Sequence, residues 1–502
     1  MSGQQIEALS SMFAKSLASS APTSTEIIQP STKRILQAPV TPFVESVRLC
    51  PFDILMPPIN MRLAMVFKIA PASESDTQGS SASFEKEFEV VVAKLKASLA
   101  DALELYPPVA GTIDRSPTDP AVITINCDGR GARFMTQVES RAYVESEHTL
   151  DGLSGTDLFG LDSSKTIFAV KLTLFSCGTI VMITSMHHQA ADLASYMDFI
   201  RTWHQISRKE LKEIVLPVTW SRDLKLATPV EIPPTMPGIL ILPPNLTSPP
   251  LIPALRIFDG LRWFISDAKL AKLKLDCTAL ISTQDPVKFW ISTSDAFTAL
   301  VWGAMTRARQ DIPTKTPMFT NQDADLESLG VAVDGREMIG LGSPRAGSSS
   351  RFFGNLNLSV AVYHPRVDLL QTTLEATSRV ALAIRKTIQD ETTPDAIASR
   401  AAFIASQVEA TRPVTNQRMV LEGDCRSTNW VKHDLSKFDF GLAPRVKPVS
   451  TALGTKTVYP AGMFLITRGS GGLIVATTVE KEADVLLSSD PLLTKYAEIL
   501  KD

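Results

Sequence analysis

From Phe84 to Tyr106, apolar side chains recur every three or four positions, at Phe88, Val91, Leu95, Leu99, Leu103 and Tyr106. That spacing predicts an amphipathic helix, which Pro107 and Pro108 end. Short β-prone runs follow at 121–126, 166–175 and 179–184, the last bounded by Gly178. Helical spacing then resumes at Leu193, Met197, Ile200 and Trp203, so residues 187–192 fall on a strand-to-helix turn, a place where chains commonly display reactive side chains. The residues before Val44 lack a clear period between 18 and 42 and are rich in Ser, Thr and Pro, so 1–43 reads as a flexible lead-in. Apolar positions at Ile6, Leu9, Phe13 and Leu17 make its first part a frayed or docking helix.

Ten of the 33 prolines lie between Pro217 and Pro253, and proline continues neither a helix nor a central strand. Residues 216–258 are therefore expected to link a domain at 44–215 to one at 259–502. The second half repeats the mixed grammar, with a strand at 261–265, a helix at 267–275 and a long helix from about Ser294. Phe297, Leu300, Val301, Ala304 and Met305 share a face of that helix, and Thr293 or Ser294 is its expected cap. The fold class is α/β.

A chain of 502 residues exceeds what one core usually organises, which agrees with two domains. Its net charge of −3 gives no basic field for a phosphate backbone, so nucleic acid is not an expected partner. Five scattered cysteines without CxxC spacing point to neither a disulfide framework nor a metal site. No window approaches the ~20 apolar residues of a membrane span. A cytoplasmic monomer is expected.

The chemistry lies in His187-His188-Gln189-Ala190-Ala191-Asp192. His-x-x-x-Asp alone is weak, since six histidines give about 0.3 chance matches at average composition, and His364 to Asp368 repeats it. Context separates the two. His364 runs into a proline beside Arg366 and reads as a surface turn. His188 precedes two alanines that leave room for a substrate against the backbone. Neutral imidazole takes a proton from an attacking hydroxyl or amine, so His188 is a candidate general base, weighed against a plain structural histidine. Asp192 is placed to fix the turn by pairing with an arginine elsewhere. No Gly-x-Ser-x-Gly elbow, His-Glu-x-x-His, Walker loop or dinucleotide glycine fingerprint competes with it.

With this motif the chain resembles the BAHD acyltransferases, the coenzyme A-dependent family of His-x-x-x-Asp and a distant Asp-Phe-Gly-Trp-Gly. The second motif stands here as Asp439-Phe440-Gly441-Leu442-Ala443. Weaker signatures fall in family order: Leu105 to Thr112, Ser292 to Trp302, Val333-Asp334-Gly335-Arg336 and Phe352-Phe353-Gly354-Asn355. The set is most similar to the fungal branch of trichothecene 3-O-acetyltransferases. The resemblance implies two chloramphenicol-acetyltransferase-like domains with mixed sheets, a long crossover linker and a tunnel at their interface. It implies acyl-CoA, acetyl-CoA above all, as co-substrate with no bound cofactor, and a small secondary metabolite as acceptor. Ser292, Thr293 and Asn355 are then expected against coenzyme A. Arg336 is expected to pair with Asp192, while Asp439, Phe440 and Gly441 support the site. Loss of the motif's tryptophan at Leu442 removes a possible hydrogen bond near the site. Cyclisation or condensation on the same fold, carrier-protein-dependent acyl transfer, and a non-catalytic binding relative remain the alternatives.

Overall fold

The computed structural model describes residues 24–32, 39, 43–70, 81–116, 119, 122–145, 153–155, 165–217, 219–227, 231–241, 261–281, 290–312, 325–342, 352–410, 412, 414–415, 425–450 and 461–500. The chain divides into two compact units. Unit 1 holds Met1–Lys225, Arg336–Leu356 and Leu435–Thr455; unit 2 holds Leu226–Gly335, Asn357–Asp434 and Lys456–Asp502. This differs from a second domain running unbroken from 259. Two stretches of the second half, one with Arg336 and Asn355 and one with Asp439, belong to the unit that carries His188.

Unit 1 is built on a mixed sheet whose strands are β1 (Ser24–Ile28), β2 (Asn60–Ile69), β3 (Ala132–Glu139), β4 (Phe168–Phe175) and β5 (Thr179–His187). Their order is β1-β3-β4-β5-β2, with Val446–Ser450 at the far edge. β3 and β4 run parallel and the other neighbours antiparallel. Every residue of β4 and β5 is buried, which explains runs such as Ile180-Val181-Met182-Ile183 without polar alternation. The helix predicted from Phe84 is Ser81–Leu105 (α2, after the one-turn α1 at Pro51–Leu55), and it packs against α3 (Leu193–Arg208). Trp203 Nε1 of α3 donates to Ser98 Oγ of α2 at 3.0 Å.

β1 corrects the flexible lead-in: Ser24–Ile28 pairs along β3 as an edge strand. The proposed helix at 6–17 lies outside the described residues. Part of the linker is ordered too, since Leu240–Ile241 pairs with Val414–Thr415.

Unit 2 has a second mixed sheet, with β6 (Leu261–Ser266), β7 (Leu326–Asp334), β8 (Asn357–Pro365), β9 (Cys425–Asn429), β10 (Met463–Gly469) and β11 (Gly472–Thr477) in the order β8-β7-β9-β10-β11-β6. Helices α4 (Asp267–Ile281), α5 (Thr293–Ala308) and α6 (Leu374–Glu391) pack together, and α6 lies on β8. Trp302, Phe297 and Met305 of α5 are fully buried in this core.

Candidate active site

β5 ends at His187, and α3 begins after Asp192, so the motif lies on the turn its spacing predicts. From Gly178 to Asp192 every residue is buried except His188, which is half-exposed. Its backbone is held on both sides: the N–H donates to Ile59 O at 2.8 Å, and the carbonyl accepts from Asn355 Nδ2 at 2.9 Å. His187, at the last position of β5, is buried. Burial, with the charges of His188 and Arg115 nearby, pushes its pKa down to about 3, so its imidazole stays neutral at working pH.

Asp192 caps α3, accepting from Ser195 N at 3.0 Å. Arg336 meets its carboxylate in a bidentate fork, Nη1 to Oδ2 and Nη2 to Oδ1 both at 2.8 Å, and Leu356 N donates to Oδ2 at 2.9 Å. Four donors therefore fill the two oxygens. Burial alone would raise this carboxyl, but the Arg336 guanidinium and the two backbone donors hold it below the usual carboxylate range. Arg336 Nη2 also donates to Ser195 Oγ at 2.9 Å and to Gly354 O at 2.8 Å. The arginine thus ties the cap of α3 to the Phe352–Leu356 segment. Ser195 was not picked out from the sequence; an N3 serine after an Asp cap was the available signal.

The second motif sits at the other end of α3. Arg208 Nη1 donates to both oxygens of Asp439, at 2.8 and 2.9 Å, and His204 Nε2 lies 3.3 Å from Oδ1. Ser207 Oγ donates to Phe440 O at 2.7 Å, Lys94 Nζ donates to Gly441 O, and the Phe440 ring packs edge-on to Trp203 at 4.9 Å. At ~1.5 Å rise per residue, the 16-residue helix puts this clamp about 20 Å from the Asp192 cap. Leu442 therefore removes no hydrogen bond near His188, which corrects the expectation above. Asp439 is lowered because the Gly441 N–H and Arg208 outweigh its burial, so it stabilises the fold above its unfolded pKa, and that contribution fades as pH falls through the lower folded value. Asp439→Asn is expected to melt earlier than wild type at pH 7, with the gap closing below about pH 4. Melting curves at the two pH values check this, and a gap that persists in acid contradicts it.

The model of the Transferase family matches residues 25–491. The chain belongs to this family, the BAHD acyltransferases. As a BAHD chain it is 25% identical to acyltransferase uat1 of Mycosarcoma maydis over 50% of its own length and 52% of that protein. It is 25% identical to a hydroxycinnamoyltransferase of Narcissus pseudonarcissus over 77% of its length and 84% of that protein. The chain spans about half or less of the length of several curated relatives it matches. The crystal structure of F. sporotrichioides TRI101, solved with coenzyme A and T-2, shares the fold with a TM-score of 0.68 at 16% identity, covering 90% of this chain and 99% of that one.

Three residue assignments change in this BAHD chain. Asn355, expected against coenzyme A, is fully buried, and its amide hydrogens are committed to Asp53 Oδ1 at 2.8 Å and His188 O. Ser292, rather than Thr293 or Ser294, caps α5: its Oγ accepts from Asp295 N at 3.1 Å and from Arg385 Nη2 at 2.9 Å. His364 is not on a surface turn. It is buried at the end of β8 opposite Glu327, with Nε2 2.9 Å from Asp368 Oδ2, and Asp368 is in turn paired with Arg379. Among the described residues no cluster of His, Cys, Asp or Glu is placed to hold a metal ion, and no helix is long and apolar enough to cross a membrane.

Proposed function

We propose that this chain transfers an acyl group, acetyl first among candidates, from acyl-CoA to a hydroxyl or amine of a small secondary metabolite, with His188 as general base. The observation that carries this is the partial exposure of His188 alone within a buried strand and turn whose backbone is fixed by Ile59 and Asn355. TRI101, which shares the fold, was solved with coenzyme A and T-2, and uat1 is named an acyltransferase. His188 takes the acceptor's proton as its oxygen or nitrogen attacks the thioester carbonyl. The carbon–sulfur bond then breaks, and the coenzyme A thiolate leaves and recovers the proton from the imidazolium. No acyl-enzyme is formed. Asp192 is support rather than proton acceptor, because its lone pairs are already taken by Arg336 and two backbone donors. Ser292 and Thr293 are proposed near the coenzyme A phosphates, at the start of α5, where backbone N–H groups and the helix dipole favour an anion.

Calorimetric titration with acetyl-CoA is expected to show saturable binding, and thiol release should appear when a panel of hydroxyl and amine acceptors is added. Absence of binding at millimolar acetyl-CoA, together with turnover of an acylated carrier protein, overturns the coenzyme A reading.

A further inference from the structure

The acyl-transfer reading uses one buried ion pair, Asp192 with Arg336. Unit 1 holds a second. Asp53, in α1, and Arg222, in the proline-rich stretch, are both buried, with Asp53 Oδ1 2.7 Å from Arg222 Nη1. Burying two ions is costly, and apolar residues of similar volume usually serve stability as well, so the question is what the pair holds.

Its remaining bonds converge on the turn that carries His188. Arg222 Nη2 donates to Ala190 O at 2.6 Å, and Nη1 to Gln189 O at 3.3 Å. Asp53 Oδ1 accepts from both nitrogens of Asn355 at 2.8 Å, and that same Asn355 Nδ2 donates to His188 O. Asp53 Oδ2 accepts from Cys50 N at 2.8 Å, which fixes the carboxylate to the start of α1. Three consecutive carbonyls, those of 188, 189 and 190, thus take donors from Asn355 and Arg222. A sharp turn that leaves a strand before its helix starts has no backbone ladder to satisfy such carbonyls, and buried carbonyls need partners. Aromatic packing fixes both donor segments: Trp220 and Phe353 each lie 5.3 Å from the Tyr106 ring and 5.8 Å from one another. Gly354 lets the segments meet, since a Cβ there would come within 3.1 Å of Arg222 Nε and 3.0 Å of the Phe352 ring.

We infer that Asp53, Arg222 and Asn355 form a positioning clamp that sets the direction in which the His188 side chain leaves the backbone, as Asp192 and Arg336 set the start of α3. The inference rests on the acyl-transfer reading for its effect on rate, because a base displaced by ~1 Å can cost about 100-fold. It does not rest on that reading for its geometry.

The test compares Arg222→Met, the double variant Asp53→Asn/Arg222→Met and Arg222→Lys with wild type. Four quantities are read on the full chain: melting temperature, kcat and KM for acetyl-CoA-dependent thiol release, and the rate at which diethyl pyrocarbonate modifies His188, followed by peptide mass spectrometry. Arg222→Met leaves Asp53 buried without its ion and is expected to melt early. The double variant removes both charges and should recover much of the melting temperature. Its kcat should stay at least ~10-fold below wild type with KM for acetyl-CoA within about twofold, while His188 reacts severalfold faster. Arg222→Lys keeps the charge but not the planar fork that spans two carbonyls, so it should fold and still lose about 10-fold in kcat. Recovery of kcat together with melting temperature in the double variant, or wild-type modification rates at His188 in all three, overturns the inference. If wild type itself transfers no acyl group from any donor, the functional reading fails, and the modification rates still decide whether the clamp positions His188.

Discussion

Asp192→Ala and Arg336→Ala are each expected to destabilise the protein by about 3–5 kcal/mol, because each leaves a buried charge without its partner. Arg336 would lose both carboxylate bonds while still held against Gly354 O and Ser195 Oγ, deep in unit 1. Asp192 would keep the Ser195 and Leu356 N–H donors and lose the guanidinium that holds its pKa down, so its folded pKa rises and its stabilising contribution at pH 7 shrinks. The double variant should lose much less than the sum of the two, since no unpaired charge remains. Turnover should follow the same pattern, as the α3 cap and the His188 turn are one piece of structure. A serine-hydrolase-style relay makes a different prediction. There Asp192 would bond the imidazole directly, Arg336 would be a bystander and the two losses would add. A double-mutant cycle on melting temperature and on kcat/KM distinguishes the two, and strict additivity in both contradicts the support role.

What the sequence could disclose follows from how local each feature is. The helix from Phe84 and the strand-turn-helix around His188 are carried by side chains a few positions apart, so periodicity exposes them. β1 escaped because it is an edge strand with only Ile28 buried; Ser24-Thr25-Glu26 carries no apolar alternation to betray it. His364 was misread for a related reason. Pro365 and Arg366 look like the flanks of a surface turn, yet pairing between β7 and β8 sets the histidine opposite Glu327 and beneath Arg379's partner Asp368.

The site divides the same way. His188 and Asp192 are four positions apart and readable together, and Arg336 was reachable only through the family resemblance. Asp53 and Arg222 have no local signature at all: one lies in a single-turn helix, the other among prolines, and only the tertiary fold brings their charges together. Asn355 was drawn toward coenzyme A by its place in a family motif, whereas its bonds run inward to Asp53 and the His188 carbonyl. Two domains were expected from length and the proline-rich linker, but the return of Arg336–Leu356 and Leu435–Thr455 to unit 1 was hidden, because such excursions leave and return within a few residues of strands belonging to the other unit.

The central claim is that His188 is the base, and its most direct test pairs turnover with ligand binding in His188→Ala. His188 is only partly buried and its backbone bonds to Ile59 and Asn355 do not involve the imidazole, so the variant should fold and bind acetyl-CoA as wild type does. Losing a general base should cost ~10²-fold or more in kcat. His364→Ala is the control: it breaks a partly buried pair with Asp368 and should cost about 1 kcal/mol of stability while leaving kcat unchanged. A His188→Ala protein that binds acetyl-CoA normally and turns over at least ~100-fold more slowly is the predicted result. One that keeps more than about a tenth of the wild-type rate contradicts the assignment of His188 and the mechanism built on it.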